Sequence, residues 1–242
     1  MSGRITLDPV NADPSPIDRI GAPRRRNPGR RGYLADPAAD MTERLELTTS
    51  DGETLEARID SPDQPLRLTV FCHPHPLEGG SMNAPLMIAV AKRLVERGHV
   101  VMRFNFRGTG ASSGTHDHGN AELEDVAAAV SAARDRGLPL GLTGWSFGAG
   151  TALRWLARGG DMIPYVGIAP ATSDLPDTLP SGPKRIILGT RDQVVDGEAL
   201  ITYAKEQALD LVLTPGDHFF HGRGKRIGDL VGQGLEDIPD QG

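Results

Sequence analysis

Residues 138–150 read LPLGLTGWSFGAG, and this stretch is the most informative one about the fold. Its first seven residues form a short apolar run, which is typical of a buried strand. The run leads directly into a glycine-rich turn, and behind the turn four apolar residues recur at the i, i+3, i+4 and i+7 spacing of one helix face: Ala149, Ala152, Leu153 and Leu156. The stretch therefore predicts a strand, a sharp turn that contains Ser146, and a helix that Gly159 ends.

The same order of strand and helix recurs along the chain after Met41. Two alternating segments flank SDG at 50–52, which predicts a hairpin. The later strands are predicted at 66–72, 99–106, 138–144, 165–169, 185–190 and 209–215, with helices at 84–97, from 121, behind Ser146, from a cap at Asp196, and at 223–236. Asn120 is expected to cap the second helix. Such alternation predicts an α/β fold: a mostly parallel sheet with an N-terminal antiparallel hairpin and helices on both faces.

Length and charge bound the domain organisation. The chain has 242 residues, of which 38% are hydrophobic, enough for one substantial core. We expect residues 41–242 to form one domain and residues 1–40 to be a disordered leader, with Met41 as a possible true translation start. The leader carries the cluster RRRNPGRR at 24–31, but Pro, Asp and Gly dilute it and no aromatic residues accompany it, so no nucleic-acid partner is predicted.

Composition also bears on location. No apolar run approaches the roughly 20 residues that cross a bilayer, and no apolar segment follows the arginine cluster as an export signal requires. Cys72 is the one cysteine of the chain and cannot form an internal disulfide. We therefore expect a cytoplasmic protein without membrane contact, while the sequence does not indicate the oligomeric state.

Two serines fit the pattern G-x-S-x-G. Ser146 lies in GWSFG at 144–148, directly after a predicted strand and directly before a predicted helix. Ser112 lies in GASSG at 110–114, several residues after its strand and with no helix until 121. A nucleophile at a strand-to-helix turn is exposed at the sheet edge, where the helix N-terminus faces the developing negative charge. The sequence therefore favours Ser146 as a nucleophile.

A serine needs a base to remove its proton and an acid to orient that base. Asp192 follows the strand at 185–190, and His218 follows the strand at 209–215. The carboxyl ends of parallel strands meet at one edge, so the loops after residues 73, 107, 144, 190 and 215 should line one rim. Asp192 and His218 are the candidate acid and base, with Asp196 and Asp217 as rival acids and His221 as a rival base.

Five motifs carry a resemblance: HPHPLEGGSMN (73–83), MRFNFRGTGASSG (102–114), GWSFGAG (144–150), GTRDQVV (189–195) and GDHFFHG (216–222). In this order they resemble the α/β-hydrolase superfamily, and most of all small bacterial hydrolases without a large cap, in the dienelactone-hydrolase-like and serine aminopeptidase-like groups. The likeness covers about residues 43–236. True dienelactone hydrolases have Cys at the turn, where this chain has Ser146.

The resemblance implies a Ser146–His218–Asp192 triad that works by acyl transfer and needs no cofactor. It also implies an oxyanion hole built from the backbone N–H of Phe147 and one N–H of the loop after residue 73. That second donor is His75 or Leu77, because Pro74 and Pro76 have no N–H. Trp145 and Leu77 are the expected substrate-pocket residues.

The interval PATSDLPDTLPSGPK, at 170–184, is where many relatives carry a cap domain. Its shortness predicts an open cleft and a small or exposed ester as substrate, with a thioester as the nearest variant and a peptide less favoured. Two other hypotheses stay open: a non-catalytic module that binds a ligand or partner, and a cofactor-free haloperoxidase or lyase with the same triad.

Two other kinds of site find little support. The pairs His73/His75 and His116/His118 lack a Cys or carboxylate at a recognised ligand spacing, so no metal is predicted. The glycines of RGTGASSG, at 107–114, precede no helix and do not indicate a dinucleotide loop. Cys72 lies in an apolar strand and is expected to be a core thiol.

Overall fold

A computed structural model describes residues 3–8, 41–160, 162–173 and 175–237 of the protein. The described strands are β1 (Ile5–Leu7), β2 (Met41–Thr48), β3 (Thr54–Ser61), β4 (Arg67–Cys72), β5 (His99–Phe104), β6 (Leu140–Trp145), β7 (Tyr165–Ile168), β8 (Lys184–Gly189) and β9 (Asp210–Thr214). The described helices are α1 (Pro85–Glu96), α2 (Glu122–Arg134), α3 (Phe147–Ala157), α4 (Gly197–Glu206) and α5 (Gly224–Glu236). The main elements agree with those that the apolar periodicity predicts.

The nine described strands form one sheet in the order β1-β9-β8-β7-β6-β4-β5-β3-β2. Strands β4 to β9 are parallel to one another, whereas β3 runs antiparallel to both β5 and β2. Apolar residues of α1, α4 and α5 pack on one face, and those of α2 and α3 pack on the other. The predicted α/β fold is thus confirmed, and the carboxyl ends of the parallel strands share one edge.

The segment between β7 and β8 is a loop. The described residues there form no helix and no strand, so no cap covers the sheet edge at this point.

The cap that the sequence predicts for the second helix is not formed. Helix α2 begins at Glu122 after Ala121, and Asn120 does not cap it. The Asn120 side chain instead accepts a hydrogen bond from Arg154 Nη2 at 2.8 Å.

None of the described helices is both long and apolar enough to cross a membrane.

The first strand lies where the sequence interpretation expected disorder. Strand β1 pairs in parallel with β9 and adds a strand to that edge of the sheet. The prediction of a disordered leader over residues 1–40 is therefore wrong for residues 3–8, while residues 9–40 lie outside the described residues. A three-residue strand is too short to show periodicity, and its partner is more than 200 positions away in the chain.

Asp8 anchors this segment to the domain. Its N–H donates to Leu213 O at 2.9 Å, and its fully buried carboxylate accepts a hydrogen bond from the Thr214 hydroxyl at 2.8 Å. The same carboxylate pairs with the guanidinium of Arg226 on α5, with Nε at 2.8 Å. Since Thr214 ends β9, this pair braces the strand from which the His218 loop departs.

We expect Asp8→Asn to lower the free energy of unfolding by about 1–3 kcal/mol, because it removes the buried charge that Arg226 and Thr214 bind. The measurement is urea unfolding followed by circular dichroism. Glu43→Gln is the matched control: its ion pair with Arg136 is exposed on both sides, at 54% and 34% of the side chains, and should change stability by less than about 0.5 kcal/mol. Equal effects of the two substitutions would show that the buried carboxylate of Asp8 contributes no more to stability than an exposed ion pair does.

Candidate active site

Ser146 lies at the turn between β6 and α3. Its backbone has φ 55° and ψ −118°, a conformation that costs energy in a residue with a side chain and clusters at functional sites. Hydrogen bonds hold it there: the Ser146 N–H donates to Ile168 O at 2.9 Å, and the Ser146 carbonyl accepts from Ala149 N and Gly150 N, both at 3.1 Å. The turn is therefore fixed by the strand next to it and by the start of the helix.

The glycines two positions before and after Ser146 are required by close packing. A Cβ atom at Gly144 would lie 2.6 Å from the backbone N of Ala149, and one at Gly148 would lie 2.3 Å from the carbonyl O of His73. Both neighbours are backbone atoms that cannot move aside without distorting the turn. The pattern G-x-S-x-G is therefore needed to bring α3 against the end of β4.

Asp192 and His218 are brought together from two separate loops. The Nδ1 atom of His218 lies 2.9 Å from Asp192 Oδ2, and the two side chains are almost fully buried. The other carboxylate oxygen of Asp192 accepts from the backbone N–H groups of Val194 at 2.9 Å and Val195 at 3.1 Å. With its proton on Nδ1, His218 keeps Nε2 as an acceptor. His218 and Ser146 line the same cleft.

The two loops meet because β8 and β9 are neighbours and their pairing continues past the strand ends. The Thr190 N–H donates to Thr214 O, and the Arg191 N–H donates to Gly216 O, both at 2.9 Å. This extension carries the Asp192 loop alongside the His218 loop. The pairing of the carboxylate with the imidazole is thus a consequence of the sheet order.

Trp145 lines the cleft, the place predicted for it, and it also contacts the loop of His218. Its indole N–H donates to the backbone carbonyl of His218 at 3.2 Å, and its ring packs edge to face on Phe219 with centroids 6.2 Å apart. The residue before Ser146 therefore also positions the loop of His218. Sequence reasoning missed this contact, because nothing local to Trp145 indicates a partner 73 residues away.

The two N–H groups expected to bind an oxyanion border the cleft. Phe147 is the first residue of α3, where a backbone N–H has no partner within the helix. The N–H of His75 makes no hydrogen bond to any described residue, whereas that of Leu77 donates to His75 Nδ1 at 3.2 Å. The geometry therefore favours His75 over Leu77 as the second donor.

The prediction of Leu77 as a pocket residue is wrong. A 3₁₀ turn at Pro76–Glu78 directs the Leu77 side chain to solvent, where it is 68% exposed, and it does not line the cleft. His75, by contrast, contacts the ring of Phe147 with centroids 5.1 Å apart. Leu77 and His75 have different surroundings because of the local turn geometry, which the apolar character of leucine does not predict.

Ser112, the other serine in a G-x-S-x-G pattern, has a structural role. Its hydroxyl donates to Asn105 O at 2.8 Å and accepts from Glu56 N at 2.9 Å. It therefore ties the loop after β5 to β3.

The rival acids and base are also engaged elsewhere. Asp217 pairs with the exposed ring of His221 at 3.2 Å, on the surface of the protein. Asp196 caps α4, as the sequence predicts, by accepting from Ala199 N at 3.0 Å. None of these three side chains lines the cleft of Ser146.

His73 joins the ends of β4 and β5. Its Nε2 accepts from Phe106 N at 3.0 Å, so the proton lies on Nδ1, which donates to Pro74 O at 2.6 Å. Burial lowers the pKa of His73 to about 4, so the ring is neutral at pH 7. Among the described residues, no three His, Cys, Asp or Glu side chains are grouped as a metal site requires.

Comparison with known families identifies the superfamily. A family model described as serine aminopeptidase, S33, matches residues 75–207, more than half of the chain. The chain belongs to this family. Its members share the α/β-hydrolase fold, which the sheet order and the turn at Ser146 display.

Three relatives illustrate the likeness. The solved structure of XC6422 from Xanthomonas campestris, described as a serine hydrolase without a lid, is 31% identical, with a TM-score of 0.74 over 83% of this chain and 97% of that one. A serine hydrolase homologue from Coxiella burnetii is 30% identical, with a TM-score of 0.71 over 80% and 97%. The uncharacterized protein RP471 of Rickettsia prowazekii is 30% identical over 181 residues, which cover 68% of this chain and 75% of that one. The protein is therefore a hydrolase of the α/β-hydrolase superfamily without a cap.

The cleft of this α/β hydrolase has a volume of about 660 Å³ and is open to solvent. Residues 171–173 line it, although the sequence interpretation did not include the loop after β7 in the rim. The predicted strand at 165–169 could have indicated that this loop joins the rim, because β7 is parallel to β6 and β8 and ends at the same edge of the sheet.

Proposed function

We propose that this hydrolase cleaves carboxylic esters, with thioesters as the nearest variant, through an acyl-enzyme formed on Ser146. The observation that carries the proposal is the buried pair of Asp192 and His218, at 2.9 Å. His218 lines the same cleft as Ser146, whose turn is strained. A retired site has no need for a buried acid and base at the sheet edge, which argues against a non-catalytic binding module.

In the first half of the reaction, His218 Nε2 takes the proton of Ser146 Oγ, and Oγ attacks the carbonyl carbon. The carbonyl oxygen becomes an oxyanion that accepts hydrogen bonds from the N–H groups of Phe147 and His75. Asp192 stabilises the imidazolium. The C–O bond to the alcohol then breaks, and His218 gives its proton to the leaving oxygen, which leaves an acyl group on Ser146.

In the second half, a water molecule enters from the open cleft. His218 takes its proton, the water oxygen attacks the acyl carbon, and the bond to Ser146 Oγ breaks as His218 returns the proton to that oxygen. The products are an alcohol and a carboxylic acid, and the serine is regenerated. Each step uses residues of this chain alone.

The shape of the cleft supports a small or exposed ester. Residues 171–173 form its side without any helix above them, so the described residues provide no lid that encloses a long chain.

The test is a fluorophosphonate probe, with the intact mass read for the wild type, Ser146→Ala and Ser112→Ala, beside hydrolysis of p-nitrophenyl acetate. We expect one adduct on the wild type and on Ser112→Ala, and none on Ser146→Ala, with hydrolysis lost in the same variant. A folded wild type that gains no adduct and cleaves no ester would reject the proposal in favour of a binding module.

A further inference from the structure

A polar side cavity of about 180 Å³ adjoins the cleft, and the two share His75, Phe147 and Ser173 as walls. Its other polar walls are His118, Thr151 and Arg154. At about 30 Å³ for each water-sized group, the side cavity has room for a carboxylate with a few methylene groups. The proposed triad uses neither this space nor Arg154.

Arg154 gives the side cavity a permanent positive charge. It lies on α3 two turns beyond Ser146, is partly buried, and donates from Nη2 to the neutral side chain of Asn120 at 2.8 Å. No carboxylate of a described residue pairs with it or lines the side cavity. A guanidinium stays protonated and binds carboxylates with strong, directed hydrogen bonds, so a cavity with this charge is suited to an anion.

The neighbouring carboxylates are engaged or exposed. Glu122 is buried, and its carboxylate oxygens accept hydrogen bonds from Asp117 N at 2.9 Å and Gly119 N at 2.8 Å. Its Oε1 also lies 2.6 Å from Nδ1 of His116, but the angle does not allow a hydrogen bond between these two atoms. Glu78 lines the cleft and is exposed to water, outside the side cavity. Neither carboxylate neutralises Arg154.

His75 adds a hydrogen-bond donor to the wall. Because its Nδ1 accepts from Leu77 N at 3.2 Å, the neutral ring carries its proton on Nε2. Burial and the nearby ring of His116 lower the pKa of His75, so the neutral form with an Nε2 donor dominates at pH 7.

The side cavity lies on the acyl side of the cleft. His218 must give its proton to the leaving oxygen, so the alcohol departs toward the loop that carries His218. A separate and mainly apolar cavity of about 420 Å³ lies there, lined by Phe219, His221 and Leu86. None of the residues 218–222 lines the side cavity, which adjoins Phe147 instead. The two halves of the substrate thus meet walls of different polarity.

We propose that the hydrolase acts on esters whose acyl chain ends in a carboxylate, and that Arg154 binds this carboxylate in the side cavity. The proposal rests on the ester hydrolysis proposed above and names its substrate class: half-esters, or half-thioesters, of small dicarboxylic acids. Arg154 touches the substrate but not the reacting atoms, so it determines specificity through binding.

The test compares two substrates with one leaving group: mono-p-nitrophenyl adipate, whose acyl chain ends in a carboxylate, and p-nitrophenyl hexanoate, which is neutral. We expect Arg154→Gln to lower kcat/KM for the adipate about 10- to 100-fold, mainly through KM, and to change the hexanoate less than about twofold. Arg154→Lys should restore part of the loss. Arg158→Gln is the matched control, because Arg158 is exposed on the turn after Arg154 and lines neither the cleft nor the side cavity.

A second pair of substrates, 4-acetoxybenzoate and 4-acetoxybenzamide, places the charge on the alcohol instead. The proposal is overturned if Arg154→Gln affects the adipate and the hexanoate alike, or if its effect appears with the acetoxybenzoate rather than the adipate. Fluorophosphonate labelling separates this failure from failure of the ester hydrolysis itself. If the enzyme is labelled and cleaves the hexanoate, but Arg154→Gln does not change its rate with the adipate, only the carboxylate site is rejected.

Discussion

His218→Ala is expected to lower kcat for ester hydrolysis by about 10⁶-fold, to the residual rate that the oxyanion hole and substrate binding supply without a base. Without the imidazole no group accepts the proton of Ser146 Oγ, and no group protonates the leaving oxygen. The described neighbours hold His218 in place: Asp192 Oδ2 at 2.9 Å from Nδ1, and the Trp145 indole N–H at 3.2 Å from the backbone carbonyl. The measurement is single-turnover hydrolysis of p-nitrophenyl acetate at high enzyme concentration, so that a small residual rate stays visible.

His221→Ala is the matched control for this experiment. His221 lies three residues further along the same loop, but its ring is exposed and pairs with Asp217 on the surface. Its removal should leave kcat within about twofold. If His221→Ala abolished activity and His218→Ala retained it, the assignment of the base would be reversed. Thermal unfolding of both variants shows whether the fold is retained.

Asp192→Asn is expected to lower kcat by about 10⁴-fold with little change in KM. An asparagine amide can donate to Nδ1 of His218, which then keeps its proton on Nε2 and cannot accept the proton of Ser146. The amide also lacks the negative charge that stabilises the imidazolium. Since the Val194 and Val195 N–H groups still find an oxygen acceptor at position 192, we expect the loop to keep its conformation.

Asp217→Asn provides the comparison for the acid. Asp217 precedes His218 in the chain, yet its carboxylate accepts from Phe219 N at 3.1 Å and pairs with His221. We expect activity near that of the wild type. A loss of 10³-fold or more in Asp217→Asn, with Asp192→Asn active, would move the acid to the other loop. Substrate binding, read as KM or as inhibition by a product acid, separates a chemical defect from a collapsed cleft.

The pattern around Ser146 could be read from the sequence because its requirements are local. A strand, a turn and a helix lie within twenty residues, and the two glycines that the packing demands flank the serine. The preference for Ser146 over Ser112 depended on the same local order. The structure agrees, since Ser112 is bonded to Asn105 and Glu56.

Asp192 and His218 could be proposed because parallel strands end at one edge, so each loop after a strand becomes a neighbour of the others. The same rule, applied without the strand at 165–169, missed residues 171–173 in the cleft wall. Leu77 shows the limit of residue type as a guide: its apolar side chain suggested a pocket, and the turn at Pro76–Glu78 directs it to solvent.

Local patterns in the sequence predict the α/β class, the order of the elements after Met41 and the turn at Ser146, because apolar periodicity and glycine placement act over a few neighbouring residues. Three further features are visible only in the folded protein: the pairing of β1 with β9, the contact of Trp145 with the His218 loop, and the side cavity that Arg154 lines. These contacts join residues that are distant in the chain. Their formation depends on the packing of the whole sheet and its helices, which no local pattern specifies.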